Sequence, residues 1–322
     1  MDSLLVLMKT HSLYVPEAGW PALADSARAE WTRPGDNPLA RAMDRVFREL
    51  GDFHGALYVG GQRFNSHYKS DYRYPVSQEF MGEIQRRHGE ATGRILDDGL
   101  AYLRIGHFYG GSDLTDHARR IRGVVDSLAR RQPKGWILDL RTNIGGNMYP
   151  MFCGLAPLFD PADLGGDSRD GENYRSQWAL ESGSLLMDGY TVLSLPVETS
   201  HAPFPGGEHI ALLFGRYTAS SGEALASSLR SQPGVRSFGE ITSGWSTTTG
   251  WFPINDSIAL VPAVAYFRSP DGTVHRDGVI PDVILIQEPD YATLHADATV
   301  TSARAWLLSQ LGEPDAGPAP KD

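Results

Sequence analysis

Ser220 and Ser221 stand where an apolar run, "LLFG", gives way within a few residues to a helical pattern, in "YTASSGEALA" (217–226). A hydroxyl at such a junction suits nucleophilic attack, because the dipole and free N–H groups of a helix N-terminus stabilise a developing oxyanion. The same junction suits a plain N-cap, with Glu223 completing a capping box. A second segment, "ILDLRTNIGGNM" (137–148), runs from a strand-like stretch into the glycine pair Gly145-Gly146. Paired glycines let backbone N–H groups point into a cavity, as an anion needs, though they also make ordinary tight turns. A third, "FRELGDFHGALYV" (47–59), places His54 between a helix end and a strand start. An imidazole with an ordinary pKa near 6.5 can take a serine proton. The chain has 10 histidines, so composition alone does not choose His54.

The elements that must position these groups follow from apolar spacing. Residues 1–50 read as an N-terminal helical segment, with helical spacing on either side of the turn-like Arg33-Pro34-Gly35-Asp36-Asn37. Residues 51–92 read as a β-rich connection carrying His54. "GRILDDGLAYLRIGHF" (93–108) predicts a hairpin turning at Asp97-Asp98-Gly99. Residues 113–131 predict a helix ending in arginines, which suit a helix C-terminus. The runs "GWILDLR" (135–141) and "HIALLFG" (209–215) are nearly continuous and apolar, as strands buried on both faces are, and a helix at 221–232 follows the second. Strand, helix, strand, helix implies an α/β core with mostly parallel strands, placed at 93–290. Residues 160–208 read as an insertion of surface loops with a hairpin near Tyr190 to Leu195. A C-terminal helix is expected at 291–311 and a disordered tail at 312–322.

Composition excludes some classes. The formal net charge is −10, against a nucleic-acid partner, whose phosphates require clustered Lys and Arg. The arginines of 119–131 read as a solvated helix face. The single Cys153, in an apolar stretch, reads as a small buried hydrophobe, and no intrachain disulfide can form. No apolar run approaches the roughly 18 residues of a membrane span. Leu4 to Met8 is too short for a signal peptide, so the cytoplasm is expected unless an export signal has been removed.

Taken together, "ILDLRTNIGGNM", "YTASSGEALA", "GEITSGW" (239–245) and "GVIPDVIL" (278–285) resemble the tail-specific, or C-terminal processing, serine proteases. That family includes the tricorn core protease and the retinoid-binding repeats of photoreceptors. The motifs run in the family's order, and "LGDFH" (50–54) is similar to the segment supplying the tricorn-type histidine. The resemblance implies a crotonase-like core of stacked β-β-α units, Ser220 as nucleophile, and an oxyanion hole from the N–H of Ser221 with that of Gly145 or Gly146. It implies no metal, nucleotide or other cofactor, and a peptide or unfolded protein as substrate.

The chain departs from the best-known members where their base lysine stands, since Trp245 occupies that place. Of its four lysines only Lys321 follows Ser220, and Lys69 and Lys134 lie on other segments. A histidine base is therefore expected: His54 first, with His67 and His275 as alternatives. Phe53 stands where tricorn-like enzymes carry a serine before the histidine. Asp277, or else Glu223, is the candidate acidic partner. The stretch between "LGDFH" and the hairpin is too short for a PDZ module. The reading is a serine peptidase acting through an acyl-enzyme at Ser220 with His54 as general base. Its rivals are a non-catalytic binder of an apolar ligand on the same fold and a hydrolase or acyl transferase acting on a small ester.

Overall fold

The computed structural model describes residues 1–16, 18–64, 77–110, 113–159, 163–196 and 206–312. His67, Lys69 and the expected tail from residue 313 lie outside them. The chain divides into two units, one of Met1–Arg73, Asp167–Arg175 and Thr247–Tyr266, the other of Tyr74–Gly166, Ser176–Ser246 and Phe267–Asp322.

The chain begins with α1 (Asp2–His11), α2 (Trp20–Thr32) and α3 (Pro38–Leu50). Pro21 and Pro38 lie in first turns, where the missing N–H has no partner to lose. Helix α1 lies within the segment 1–50 read as helical, though no start or end was assigned to it. Its Leu4, Leu5 and Met8 are buried, so these apolar residues serve a core. Gly51 ends α3 in the left-handed conformation, φ 72°, and its N–H reaches back to Phe47 and Arg48. Strands β1 (Ala56–Val59) and β2 (Gln62–Phe64) follow.

The second unit holds α4 (Gln78–Arg86), the expected hairpin β3 (Ala91–Ile95) and β4 (Ala101–Ile105), α5 (Leu114–Ala129), β5 (Trp136–Asp139) and α6 (Met148–Leu155). Residues 160–208 differ from the reading of surface loops. They supply β6 (Asp163–Ser168), β7 (Ser176–Glu181), β8 (Ser184–Met187) and β9 (Tyr190–Leu193), of which β7, β8 and β9 form an antiparallel meander. Leu164, Trp178 and Leu185 are buried in the core that α6 also enters. Then come β10 (Ile210–Phe214), α7 (Ser221–Arg230) and β11 (Val235–Gly239). The first unit resumes with β12 (Thr247–Thr249), β13 (Phe252–Asn255) and β14 (Ile258–Val261). The chain ends with β15 (Ala263–Arg268), β16 (Val274–His275), β17 (Val283–Ile284) and α8 (Ala298–Gln310).

In the second unit a six-stranded sheet has the order β17-β11-β10-β5-β4-β3, parallel except for β3. Alternate strand residues serve opposite faces. Leu138 and Leu212 join α5, α6 and α7 in one core, while Ile137, Ala211 and Leu213 join α8 in another. Burial on both faces explains the unbroken apolar runs. In the first unit β13-β14-β1-β2 form an antiparallel sheet, whose Leu57 and Leu260 pack in one core with α1, α2 and α3. The chain is thus a mixed α/β fold.

Candidate active site

In the second unit the connection from β10 to α7 is closed by Thr218. Its hydroxyl donates to the Leu140 carbonyl at 2.9 Å and accepts from the Gly215 N–H at 3.0 Å. The Ala219 N–H donates to the Asn143 carbonyl at 3.0 Å, tying this connection to the one that follows β5. Ser220 then takes φ 51°, ψ −116°, a backbone conformation that non-glycine residues seldom adopt. What holds it is Glu223, wholly buried one turn along the helix. Glu223 Oε2 accepts the Ser220 N–H at 2.8 Å, the reciprocal half of a capping box. Its Oε1 accepts from Thr242 Oγ1 at 2.6 Å, the Gly244 N–H at 2.9 Å and Ser246 Oγ at 2.9 Å. Burial pushes this carboxyl above its ordinary range, and the four donors oppose that shift. Glu223 therefore anchors the serine and residues 242–246 to one another.

The glycine pair lies against the serine. A Cβ on Gly145 would stand 2.7 Å from Ser220 Cβ and 2.9 Å from the Ala219 carbonyl, and φ is +104°. Gly146 presses on another segment, where a Cβ would fall 1.8 Å from the Phe108 carbonyl. Of the two N–H groups named from sequence, that of Gly145 is engaged, donating to Asn143 Oδ1 at 3.0 Å. The Gly146 carbonyl accepts from Ser221 Oγ at 2.7 Å, which joins the turn to the first residue of α7. Asn143, unnoticed in the sequence, thus helps to shape the loop.

In the first unit the turn after α3 presents His54. Asp52, fully buried, accepts the Gly55 N–H at 2.7 Å and the Ala263 N–H at 3.0 Å, and the His54 backbone also bonds to it. Burial raises Asp52 to about 6. His54 Nδ1 lies 2.7 Å from Thr247 Oγ1. Burial, helped by the Arg63 charge, lowers the imidazole to about 3, so the ring is neutral across the physiological range. Sequence reading missed both partners. Asp52 had a local signal, an acid directly after the helix-ending glycine, whereas Thr247 lies 193 residues from His54 and had none.

The other candidates have different surroundings. His275 is buried, with Nε2 2.5 Å from Ser269 Oγ. Burial lowers it to about 4. Ser269 Oγ also donates to the Ser227 carbonyl at 3.0 Å, so this pair ties β16 to α7. Asp277 is exposed and Trp245 is partly buried. Cys153 is buried, its thiol pushed up to about 11. A cavity of about 400 Å³, lined by Phe80, Arg216, Tyr217, Glu240 and Ile286 among others, opens beyond the carboxyl ends of β10 and β11; Ser220 does not line it. Among the described residues no cluster of three or more His, Cys, Asp or Glu could hold a metal ion, and no helix is long and apolar enough to cross a membrane.

The model of one protein family, described as peptidase family S41, matches residues 99–285. The chain is 26% identical over 258 residues to the nisin-resistance protein of Lactococcus lactis subsp. lactis, covering 80% of this chain and 72% of that protein. It is 28% identical over 210 residues to the carboxy-terminal processing protease CtpA of Bacillus subtilis strain 168, covering 64% of this chain but 39% of that protein. Among solved structures, a lipoprotein from Streptococcus agalactiae superposes with a TM-score of 0.64 at 19% identity, covering 96% of this chain and 94% of that one. That last likeness is one of fold.

Proposed function

Because this chain belongs to peptidase family S41, whose members are serine peptidases, we propose that it hydrolyses peptide bonds through an acyl-enzyme at Ser220, with His54 as general base. The observation that carries this is the conformation of Ser220, strained at the start of α7 and anchored through its own N–H by a buried carboxylate. Strain of this kind costs about 1–3 kcal/mol and persists where surrounding contacts over-determine it, as at reacting residues. A plain N-cap can share the Glu223 contact, but its backbone lies in the extended region, whereas Ser220 has φ 51°.

The proposed chemistry runs as follows. His54 takes the Ser220 hydroxyl proton as Oγ attacks the substrate carbonyl carbon. The oxyanion then accepts from the N–H groups of Gly146 and Ser221, since that of Gly145 is engaged by Asn143. The imidazolium returns the proton to the leaving amine, and water repeats the sequence to release the acyl group. The fold of the second unit is proposed to be crotonase-like, which the β3-β4-α5 and following strand-helix order supports. Peptides or unfolded segments are the proposed substrates, and the carboxy-terminal processing named for the Bacillus relative supports that class. The test is labelling with a fluorophosphonate. The wild-type protein and Ser221→Ala should carry the label, and Ser220→Ala should lose both label and peptide hydrolysis. A label mapped to Ser221 would overturn the assignment.

A further inference from the structure

His54 works as a base only if its lone pair sits on the nitrogen that meets the substrate side, and a neutral imidazole has two tautomers. In the first unit Thr247 meets one of the two nitrogens. Thr247, 2% exposed at the start of β12, sets Oγ1 2.7 Å from His54 Nδ1. Its hydroxyl alone would be ambiguous, since it can donate or accept. Geometry bears on the choice: the hydroxyl occupies Nδ1, so a base acting through Nε2 needs its lone pair there and its hydrogen on Nδ1, donated to Thr247 Oγ1.

We propose that Thr247 is a positioning residue that holds His54 in the Nδ1–H tautomer and so makes Nε2 the basic nitrogen. This rests on the reading of His54 as general base. Asp52 contributes to the positioning as well, because it fixes the backbone of residues 54 and 55. The arrangement also explains Phe53. The hydroxyl that tricorn-like sequences place next to the histidine is supplied here from a distant strand. An uncharged acceptor orients the imidazole while raising its proton affinity less than a carboxylate would. The ring therefore stays neutral and ready to accept a proton.

Three variants and one spectrum test this, with melting temperatures recorded throughout. His54→Ala should abolish peptide hydrolysis. Thr247→Val, which keeps the shape and removes the hydroxyl, should lower kcat at least about tenfold with little change in KM, as loss of an orienting contact does. Thr247→Ser should restore most of kcat, which a merely space-filling role would not predict. The ¹⁵N shifts of the His54 ring in the wild-type protein at neutral pH should report hydrogen on Nδ1; hydrogen on Nε2 overturns the proposal even if Thr247→Val fails to fold. A fully active Thr247→Val beside an inactive His54→Ala sinks this inference alone. A fully active His54→Ala removes the base assignment and the inference with it.

Discussion

A buried carboxylate beside a nucleophile is easily taken for a proton carrier, yet Glu223 spends its acceptor capacity on four donors. A group so engaged holds geometry, and the glycines opposite it complete that geometry. Gly145 and Gly146 look equivalent in sequence but fail differently when substituted. At Gly146 any Cβ meets the Phe108 backbone at 1.8 Å, so Gly146→Val should chiefly unfold the loop and lower the melting temperature. At Gly145 the first atoms met are Ser220 Cβ at 2.7 Å and the Ala219 carbonyl at 2.9 Å, and the left-handed φ adds strain. Gly145→Ala should therefore lower kcat by about tenfold or more, in the range expected when an oxyanion donor or the nucleophile is displaced. The loss in melting temperature should be smaller than for Gly146→Val. Steady-state kinetics on a folded Gly145→Ala protein showing wild-type kcat would remove this turn from the chemistry.

Between elements, the parallel sheet is tied to α8 by a charged knot. Arg141, just past β5, donates from Nε and Nη2 to Asp139 and from Nη1 to Asp297 at 2.8 Å. Asp297 is also the N-cap of α8, accepting the N–H groups of Thr299 and Val300. The Tyr102 hydroxyl donates to Asp139 Oδ2 at 2.7 Å. Charge and hydrogen bonds hold the Asp139 carboxyl below its ordinary value despite full burial, and they hold Arg141 well above its own. Removing one partner from such a group leaves uncompensated buried charge, which costs roughly 3–5 kcal/mol. Arg141→Ala should therefore be destabilised by that order in urea unfolding. Arg119→Ala, which breaks an exposed pair with Asp116 on α5, should melt as the wild type does. A mild Arg141→Ala phenotype would mean that solvent reaches the two aspartates.

Across the whole molecule, buried histidines set the response to acid. Burial lowers His54 to about 3 and His117 and His275 to about 4, from an ordinary value of 6.5. Between those values and 6.5 the unfolded chain binds more protons than the folded one, so stability falls as pH falls through this window. Asp52, raised to about 6 from 3.8, acts in the opposite sense between those two values, because there the folded state binds the extra proton. Glu223, also raised by burial, acts in the same sense as Asp52, and His107, lowered by burial, in the same sense as the other histidines; the histidines outweigh the two acids. The melting temperature should drop by several degrees between pH 7 and pH 5, and His117→Phe, which keeps a ring against Phe108, should flatten part of that slope. A melting temperature that rises on acidification would show that the buried acids dominate.

The residue order by itself determined the parallel strands, their helices and the two loops at the serine. Each of these is written in a short window: an unbroken apolar run for a strand buried on both faces, 3.6-residue spacing for α5, paired glycines for a turn, a serine at a helix start. The family motifs lie in those same windows. Within 160–208 only a hairpin near Tyr190 to Leu195 was expected; β6 escaped because it is short and carries Gly165 and Gly166, which leave no alternation to read, and Gly166 is needed where the Ser176 carbonyl would lie 2.0 Å from an added Cβ. Helix α1 has no side-chain cap at its start, and nothing local says that Leu4, Leu5 and Met8 will find a core. Partner choice was decided only by the tertiary structure. Glu223 reaches Thr242, Gly244 and Ser246, and His54 meets Thr247, because a side-chain hydrogen bond spans only about 3 Å. Which groups come within that reach is settled by how strands far apart in sequence pair and pack, and no short window records it.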